Sequence, residues 1–215
     1  MSRLAIFDCD GTLVDGQADV CYAMSAAFTA IGAPQPDLNE VRRIVGLSLP
    51  VAIRSLDPEL DEDRARAAVQ HYKDAYFKRR QEGLLQEPLY DGIRELLENL
   101  RAGGWQLAVA TGKSDRGLNA CLTEHGIIDM FVSLQTADRH PSKPHPAMVE
   151  AALFEAGVSP AQAVMIGDTS FDMEMAREAR VRAIGVAWGY HAPGELTEAG
   201  AEAVARTPAE LGSLL

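Results

Sequence analysis

The sequence predicts an α/β protein whose core is a doubly wound parallel sheet, with a small all-helical unit inserted near the start. Three observations carry that expectation. Leu4-Ala5-Ile6-Phe7 is an apolar run that ends abruptly in Asp8-Cys9-Asp10-Gly11-Thr12, as a strand buried on both faces does where it leaves its sheet. Residues 16–88 show helical spacing punctuated by Pro34, Pro36, Pro50 and Pro58, with no convincing strand before Pro88. From residue 91 onward, helical periodicities alternate with short apolar runs, the pattern of strands joined by helical crossovers. The expected division is a core of 1–15 and 89–215 and a helical unit of 16–88.

After the first strand, helices are expected over 17–31 and 60–82, with shorter ones near 38–45 and 49–56. In the longest of these, Val69, Tyr72 and Tyr76 share one side at helical spacing. Its basic end, Lys78-Arg79-Arg80, complements the helix dipole. Asp91 is a candidate N-cap for a helix that buries Ile93, Leu96, Leu97 and Leu100 and stops at Gly103-Gly104. Strands are expected over 105–110, 131–134, 163–166 and 182–186, separated by helices near 114–125, 146–156 and 171–180. Ser159-Pro160 and Thr207-Pro208 read as helix starts, the second with Glu210 three residues after Thr207 as a capping box.

A chain of 215 residues, 47% hydrophobic and 24% charged, can bury one good core and spare a small second module. No apolar run reaches the ~18–20 residues of a membrane span, and the start lacks a signal pattern, so a cytoplasmic protein without membrane association is expected. Cys9, Cys21 and Cys121 form no C-x-x-C pair and suit a reducing compartment. A formal net charge of -11 speaks against a nucleic-acid partner, whose binding is driven by Lys and Arg on phosphates. The helical unit carries a net of -2 and the remainder -9, so an anionic substrate must be captured by local cations.

In open parallel sheets ligands bind beyond the carboxyl ends of the strands, and four such ends here carry chemistry. Asp8 and Asp10 leave the first strand on the same side, two like charges that a divalent metal relieves most simply. The second ends in Thr111-Gly112, a hydroxyl and a glycine N–H at a helix entrance, which is an anion-binding arrangement and equally a plain N-cap. Lys143, held among Pro141, Pro144 and Pro146, is a fixed point charge for phosphate, or else part of a surface turn. The fourth ends in Gly167-Asp168, with Asp172 four residues on and within reach of the same side if a helix begins there. Capping explains one such acid but not four coincident strand ends.

These motifs, in this order, resemble those of the haloacid dehalogenase superfamily: Asp8-Cys9-Asp10-Gly11-Thr12, Thr111-Gly112, Lys143, and Gly167-Asp168 with Asp172. The helical insert is similar to the cap of the subfamily that contains phosphoglycolate phosphatases and β-phosphoglucomutases. The tail Gly185-Val186-Ala187-Trp188-Gly189-Tyr190, with Gly200-Ala201-Glu202-Ala203-Val204, most resembles the phosphoglycolate phosphatase branch. The resemblance implies that Asp8 is a nucleophile forming an aspartyl-phosphate and Asp10 the general acid and base. It further implies Mg2+ held by Asp8, the backbone carbonyl of Asp10 and Asp168, with Asp172 steadying a metal-bound water. Thr111, Gly112 and Lys143 would hold the phosphate oxygens. Arg42, Arg43 and Gly46 lie where related caps present a substrate-reading loop.

The substrate so implied is a small phosphorylated metabolite, with the protein a monomer or homodimer. A phosphosugar mutase needs the same acids and is the main alternative, followed by an idle binding or regulatory module. A dehalogenase or phosphonatase is disfavoured by the second acid, Asp10. Cys9, turned away from Asp8 by strand alternation, reads as a packing residue rather than a redox one. His140 and His145 flank Lys143 without a third zinc ligand.

Overall fold

The structure, a computed structural model, describes residues 2–215. Six strands form one sheet: β1 (Arg3–Phe7), β2 (Trp105–Thr111), β3 (Ser133–Thr136), β4 (Ala163–Gly167), β5 (Arg182–Val186) and β6 (Ala203–Ala205). Their order is β3-β2-β1-β4-β5-β6, and every pairing is parallel. The chain runs outward to β3 on one side of β1 and restarts at β4 on the other, so the switch point lies between β1 and β4.

Alternation along β1 explains its uninterrupted apolar run. Ala5 and Phe7 join one core cluster with Leu107, Val109, Val164 and Ile166, whereas Leu4 and Ile6 join another with Ala108, Ala110 and Met165. The first cluster is covered by α5 (Ile93–Ala102), α6 (Asp115–Glu124) and α10 (Pro208–Leu214), and the second by α7 (Ala147–Ala156), α8 (Ser170–Glu178) and α9 (Pro193–Ala199). A strand so enclosed gains about 1.5–3 kcal/mol for each large apolar side chain it buries.

The insert folds as α1 (Gln17–Ala30), α2 (Leu38–Arg43), α3 (Leu49–Leu56) and α4 (Glu62–Gln81) around an apolar cluster of its own that includes Val20, Met24, Phe28, Val41 and Ile53. Asp61 caps α4 through the Arg64 N–H at 2.8 Å. Buried Asp19 ties α1 to the end of α4 by accepting from Arg79 and from the Gln86 N–H. The two chain crossings into and out of the insert lie side by side, with Val14 bridged to Leu89 and the Asp15 N–H donating to the Pro88 carbonyl at 2.9 Å.

The structure corrects several expected boundaries. The strand expected over 131–134 is Ser133–Thr136, because the Phe131 N–H is drawn back to the Ile128 carbonyl in a 3-10 turn. Gly92, at φ 84, occupies the N-cap position of α5 in place of Asp91, since its left-handed backbone sets the entry of that helix. Ser159-Pro160 opens only a 3-10 turn, closed by Gln162. The expected helices and strands otherwise lie within a few residues of the observed ones. Strand β6 and helix α9 had no reading in the sequence, as three residues of strand and a seven-residue helix opening on Pro193-Gly194 are too short to show a hydrophobic period. No helix among the described residues is long and apolar enough to cross a membrane.

Candidate active site

The parallel register places Asp8 directly beyond β1, where its N–H still donates to the Ile166 carbonyl of β4 at 2.9 Å. Its side chain is fully buried. Asp8 Oδ1 accepts from the Cys9 N–H at 2.6 Å and lies 2.9 Å from Lys143 Nζ. Asp8 Oδ2, equally buried, has no hydrogen-bond partner.

Lys143 is itself buried, and its ammonium also donates to Asp172 Oδ1 at 2.7 Å. Asp172 performs two tasks at once: its Oδ2 caps α8 by accepting from the Thr169 N–H at 3.1 Å and the Thr169 hydroxyl at 2.7 Å. Asp168 accepts from Thr12 Oγ1 at 2.8 Å and from the Tyr190 N–H at 2.9 Å. Gly11, at φ +82, lets the chain turn directly against this carboxylate, where a Cβ would collide with it.

Asp8, Asp168 and Asp172 bring carboxylate oxygens within 4.8 Å of one another. Against three buried carboxyl groups stands one buried cation, Lys143. Burial pushes the Asp8 carboxyl up to about 7; Lys143 opposes the shift and Asp172 adds to it. Burial also drives Asp168 well up, with Asp8 and Asp172 contributing. Lys143 is raised despite its burial, because Asp172 and Asp8 favour its charged form. An unpartnered buried oxygen among three acids that share a single lysine fits a hard divalent cation such as Mg2+.

Asp10 faces a different environment. Its Oδ1 is 3.0 Å from Lys113 Nζ, in ion-pair contact without hydrogen-bond alignment. Lys113 also pairs with Glu87, which accepts from the Tyr76 hydroxyl at 2.6 Å and from Arg80. Burial raises Asp10, with Lys113 opposing and Glu87 adding to the shift. Burial pushes Glu87 the same way, but Lys113, Tyr76 and Arg80 prevail and hold it below the usual carboxylate range. These partners were not legible from the sequence: Lys113 adjoins Thr111-Gly112, yet nothing marks Glu87, Tyr76 or Arg80.

Thr111 is buried at the end of β2, and α6 begins only at Asp115, capped by Ser114. Gly112 abuts the insert: a Cβ there would strike the carbonyl oxygens of Gly46 and Leu47. A Cβ on Gly46 would in turn lie 3.4 Å from Thr169 Oγ1 and 3.8 Å from Asp8 Oδ2, so this loop roofs the carboxylate cluster. The Ser48 N–H donates to Ser142 Oγ at 2.8 Å. His191 accepts from the Ser170 N–H on Nδ1, so its Nε2–H donates to the Arg43 carbonyl at 2.9 Å.

Neither Arg42 nor Arg43 lines the cavity under this roof. Arg43 reaches outward to Glu195 at 2.6 Å, and Arg42 donates to Asn39 at 3.0 Å. His140 pairs with Gln135 and His145 accepts from the Ala147 N–H, as turn residues do. Cys9 lies in the core cluster with Cys121. Arg79 and Arg80 go beyond the helix-end role expected of them, binding Asp19 and Glu87 respectively.

From Asp10 and Gly112 a cavity of about 620 Å³ opens between sheet and insert. Its walls include Val20, Met24, Val45, Tyr72, Tyr76 and Phe77.

The family model described as haloacid dehalogenase-like hydrolase matches residues 5–186. The chain is 35% identical to "Probable phosphatase IndB" of Dickeya dadantii, over 98% of this chain and 92% of that protein. It is 31% identical to a phosphoglycolate phosphatase of Pseudomonas putida, over 89% of this chain and 71% of that one. A haloacid dehalogenase-like family hydrolase from Streptococcus pneumoniae superposes with a TM-score of 0.85 at 28% identity, covering 99% and 97% of the two chains.

Proposed function

The chain belongs to the haloacid dehalogenase-like hydrolase family, and from that premise we propose that it is a Mg2+-dependent phosphomonoesterase working through an aspartyl-phosphate on Asp8. The observation that carries this reading is Asp8 Oδ2, buried, unpartnered and flanked by Lys143 and Asp168 beneath the Gly46 loop. A carboxylate oxygen left bare in a dry pocket loses about 1–3 kcal/mol of hydration unless a ligand or reaction uses it.

Asp8 attacks phosphorus, and the bond from phosphorus to the ester oxygen breaks. Asp10, whose raised pKa favours a retained proton, donates it to the departing alkoxide. Asp10 then takes a proton from water as that water attacks phosphorus, the bond to Asp8 breaks and inorganic phosphate leaves. Lys143, Thr111 and the Gly112 N–H hold the phosphoryl oxygens throughout. Asp8, Asp168 and the Asp10 carbonyl would hold Mg2+, which when bound supplies positive charge to the phosphate and keeps Asp8 ionised. Asp172 holds Lys143 at 2.7 Å and would support water on the metal.

The test is hydrolysis of an aryl phosphate with and without chelator, in the wild type and in Asp8→Asn. Turnover should vanish on chelation and return with Mg2+, and Asp8→Asn should stay folded and lose turnover. Metal-independent turnover contradicts the metal role, and substantial rate in Asp8→Asn removes the covalent route. The relatives named phosphoglycolate phosphatase make phosphoglycolate the first natural ester to try.

A further inference from the structure

We infer that the leaving group of the physiological substrate is a ring-bearing, uncharged alcohol rather than a short carboxylic acid; this rests on the phosphatase reading above. The cavity of about 620 Å³ begins at Asp10 and Gly112, where the ester oxygen must lie, and runs away from the phosphate under the insert. That volume is typical of sites that enclose drug-sized ligands, roughly 300–1,000 Å³, and far exceeds what a two-carbon acid fills. The roof loop is already seated on Gly112 and Ser142, so this space belongs to the roofed site.

Its walls are apolar and aromatic. Tyr72 and Tyr76 stack with centroids 5.8 Å apart and planes at 17°, two aromatic rings in the cavity wall with which a substrate ring can pack. Two of its four lining cations are paired with acids. Lys113 is held by Asp10 and Glu87, and Arg80 by Glu87 and Glu124. Of the other lining cations among the described residues, Lys73 is exposed, and exposed Arg116 lies over the Phe77 ring at 3.8 Å. A carboxylate one carbon from the ester oxygen would therefore lie beside Asp10 and apolar walls, where the nearer cations Lys113 and Arg80 are already paired and the two without an acid partner, Lys73 and Arg116, are exposed to solvent. Uncharged apolar rings meet no such penalty.

Purified Mg2+-loaded enzyme should be assayed for kcat/KM on phosphoglycolate, propyl phosphate and benzyl phosphate, all esters of primary alcohols, with Tyr72→Ala compared on the same panel. Benzyl phosphate should exceed both others at least tenfold. Tyr72→Ala, with its folding checked by circular dichroism, should lower the benzyl-to-propyl ratio about tenfold, chiefly through KM. Should Tyr72→Ala fail to fold, competitive inhibition of the wild type by benzyl alcohol, and none by glycolate, replaces it. Phosphoglycolate equal to or better than benzyl phosphate overturns the inference while leaving the phosphatase intact. A Tyr72→Ala ratio unchanged, or inhibition by glycolate alone, overturns it also. No turnover of any ester overturns the phosphatase reading itself.

Discussion

Lys113→Met tests whether the amine between Asp10 and Glu87 holds the junction of sheet and insert together. The substitution keeps the length of the chain and removes the charge. Lys113, Asp10 and Glu87 are 9%, 10% and 3% exposed at their side chains, so water cannot replace the lost cation. Glu87 retains Arg80 and the Tyr76 hydroxyl, whereas Asp10 loses its contact at 3.0 Å and keeps no aligned partner. Removing one member of a buried ion pair costs about 3–5 kcal/mol, a large share of the roughly 5–15 kcal/mol that stabilises a domain. The remaining partner of Glu87 points to the lower end, about 3 kcal/mol at pH 7.5. The deficit has a definite pH dependence. With its cation gone Asp10 is raised further, and an acid with a raised folded pKa contributes stability below its unfolded value near 3.9 and loses it as pH rises. The deficit should therefore shrink towards pH 5 and widen towards pH 8. Urea unfolding of Mg2+-loaded protein, followed by the emission of Trp105 and Trp188, measures it. Adding Glu87→Gln to Lys113→Met should cost less than the two single losses combined. A Lys113→Met deficit under about 0.5 kcal/mol at pH 7.5, or one that does not shrink at pH 5, refutes the reasoning.

In metal-free protein, Asp8 titrates near 7 in the fold and near 3.9 unfolded, so its stabilising protonation is full below pH 4 and lost as pH rises to 7. Melts in chelator should be lower at pH 8 than at pH 5, and Mg2+ should raise the pH 8 melt. Equal melts with and without Mg2+ would contradict the metal assignment. Gly112→Ala sets a Cβ against the Gly46 and Leu47 carbonyls, which as backbone cannot swing aside. Displacing the roof by even about 1 Å should lower kcat/KM on the order of a hundredfold and speed proteolysis in 82–88, and unchanged kinetics would mean that the roof is not part of the working site.

Strand ends were readable because an abrupt change from apolar to acidic side chains is a local signal, and parallel pairing then brings those ends together. Asp8, Asp10 and Asp168 come from such points, whereas Lys143, in the loop after β3, was marked by the prolines around it. What was not readable depends on pairs far apart in the chain. Glu87 meets Lys113 and Tyr76 only because the insert's last turn folds back against β2, and no periodicity announces that contact. Arg43 looked like a residue of the roof's inner side, yet α2 ends there and the following turn to Gly46, at φ +100, directs Arg43 outward to Glu195. The reach of β3 past Leu134 was hidden from hydropathy because its Ser133 and Gln135 are buried polar residues, joined by a hydrogen bond of 2.8 Å.

Charge is where the two levels meet. A chain of net charge -11 repels an anion at long range, so the pocket must reverse the sign locally. The carboxylate cluster does not do this with its own side chains: Lys143, shared by Asp8 and Asp172, brings one positive charge to three acids, and Lys113, the next cation, is divided between Asp10 and Glu87. Spending both lysines on carboxylates would be wasteful if they had only to attract phosphate. It is sensible if their first task is to hold acids in different states, Lys143 favouring charge on Asp8 while Glu87 tempers the effect of Lys113 on Asp10. In the proposed mechanism this lets two carboxylates two residues apart act as nucleophile and proton carrier, because burial acts on both and their cations act unequally.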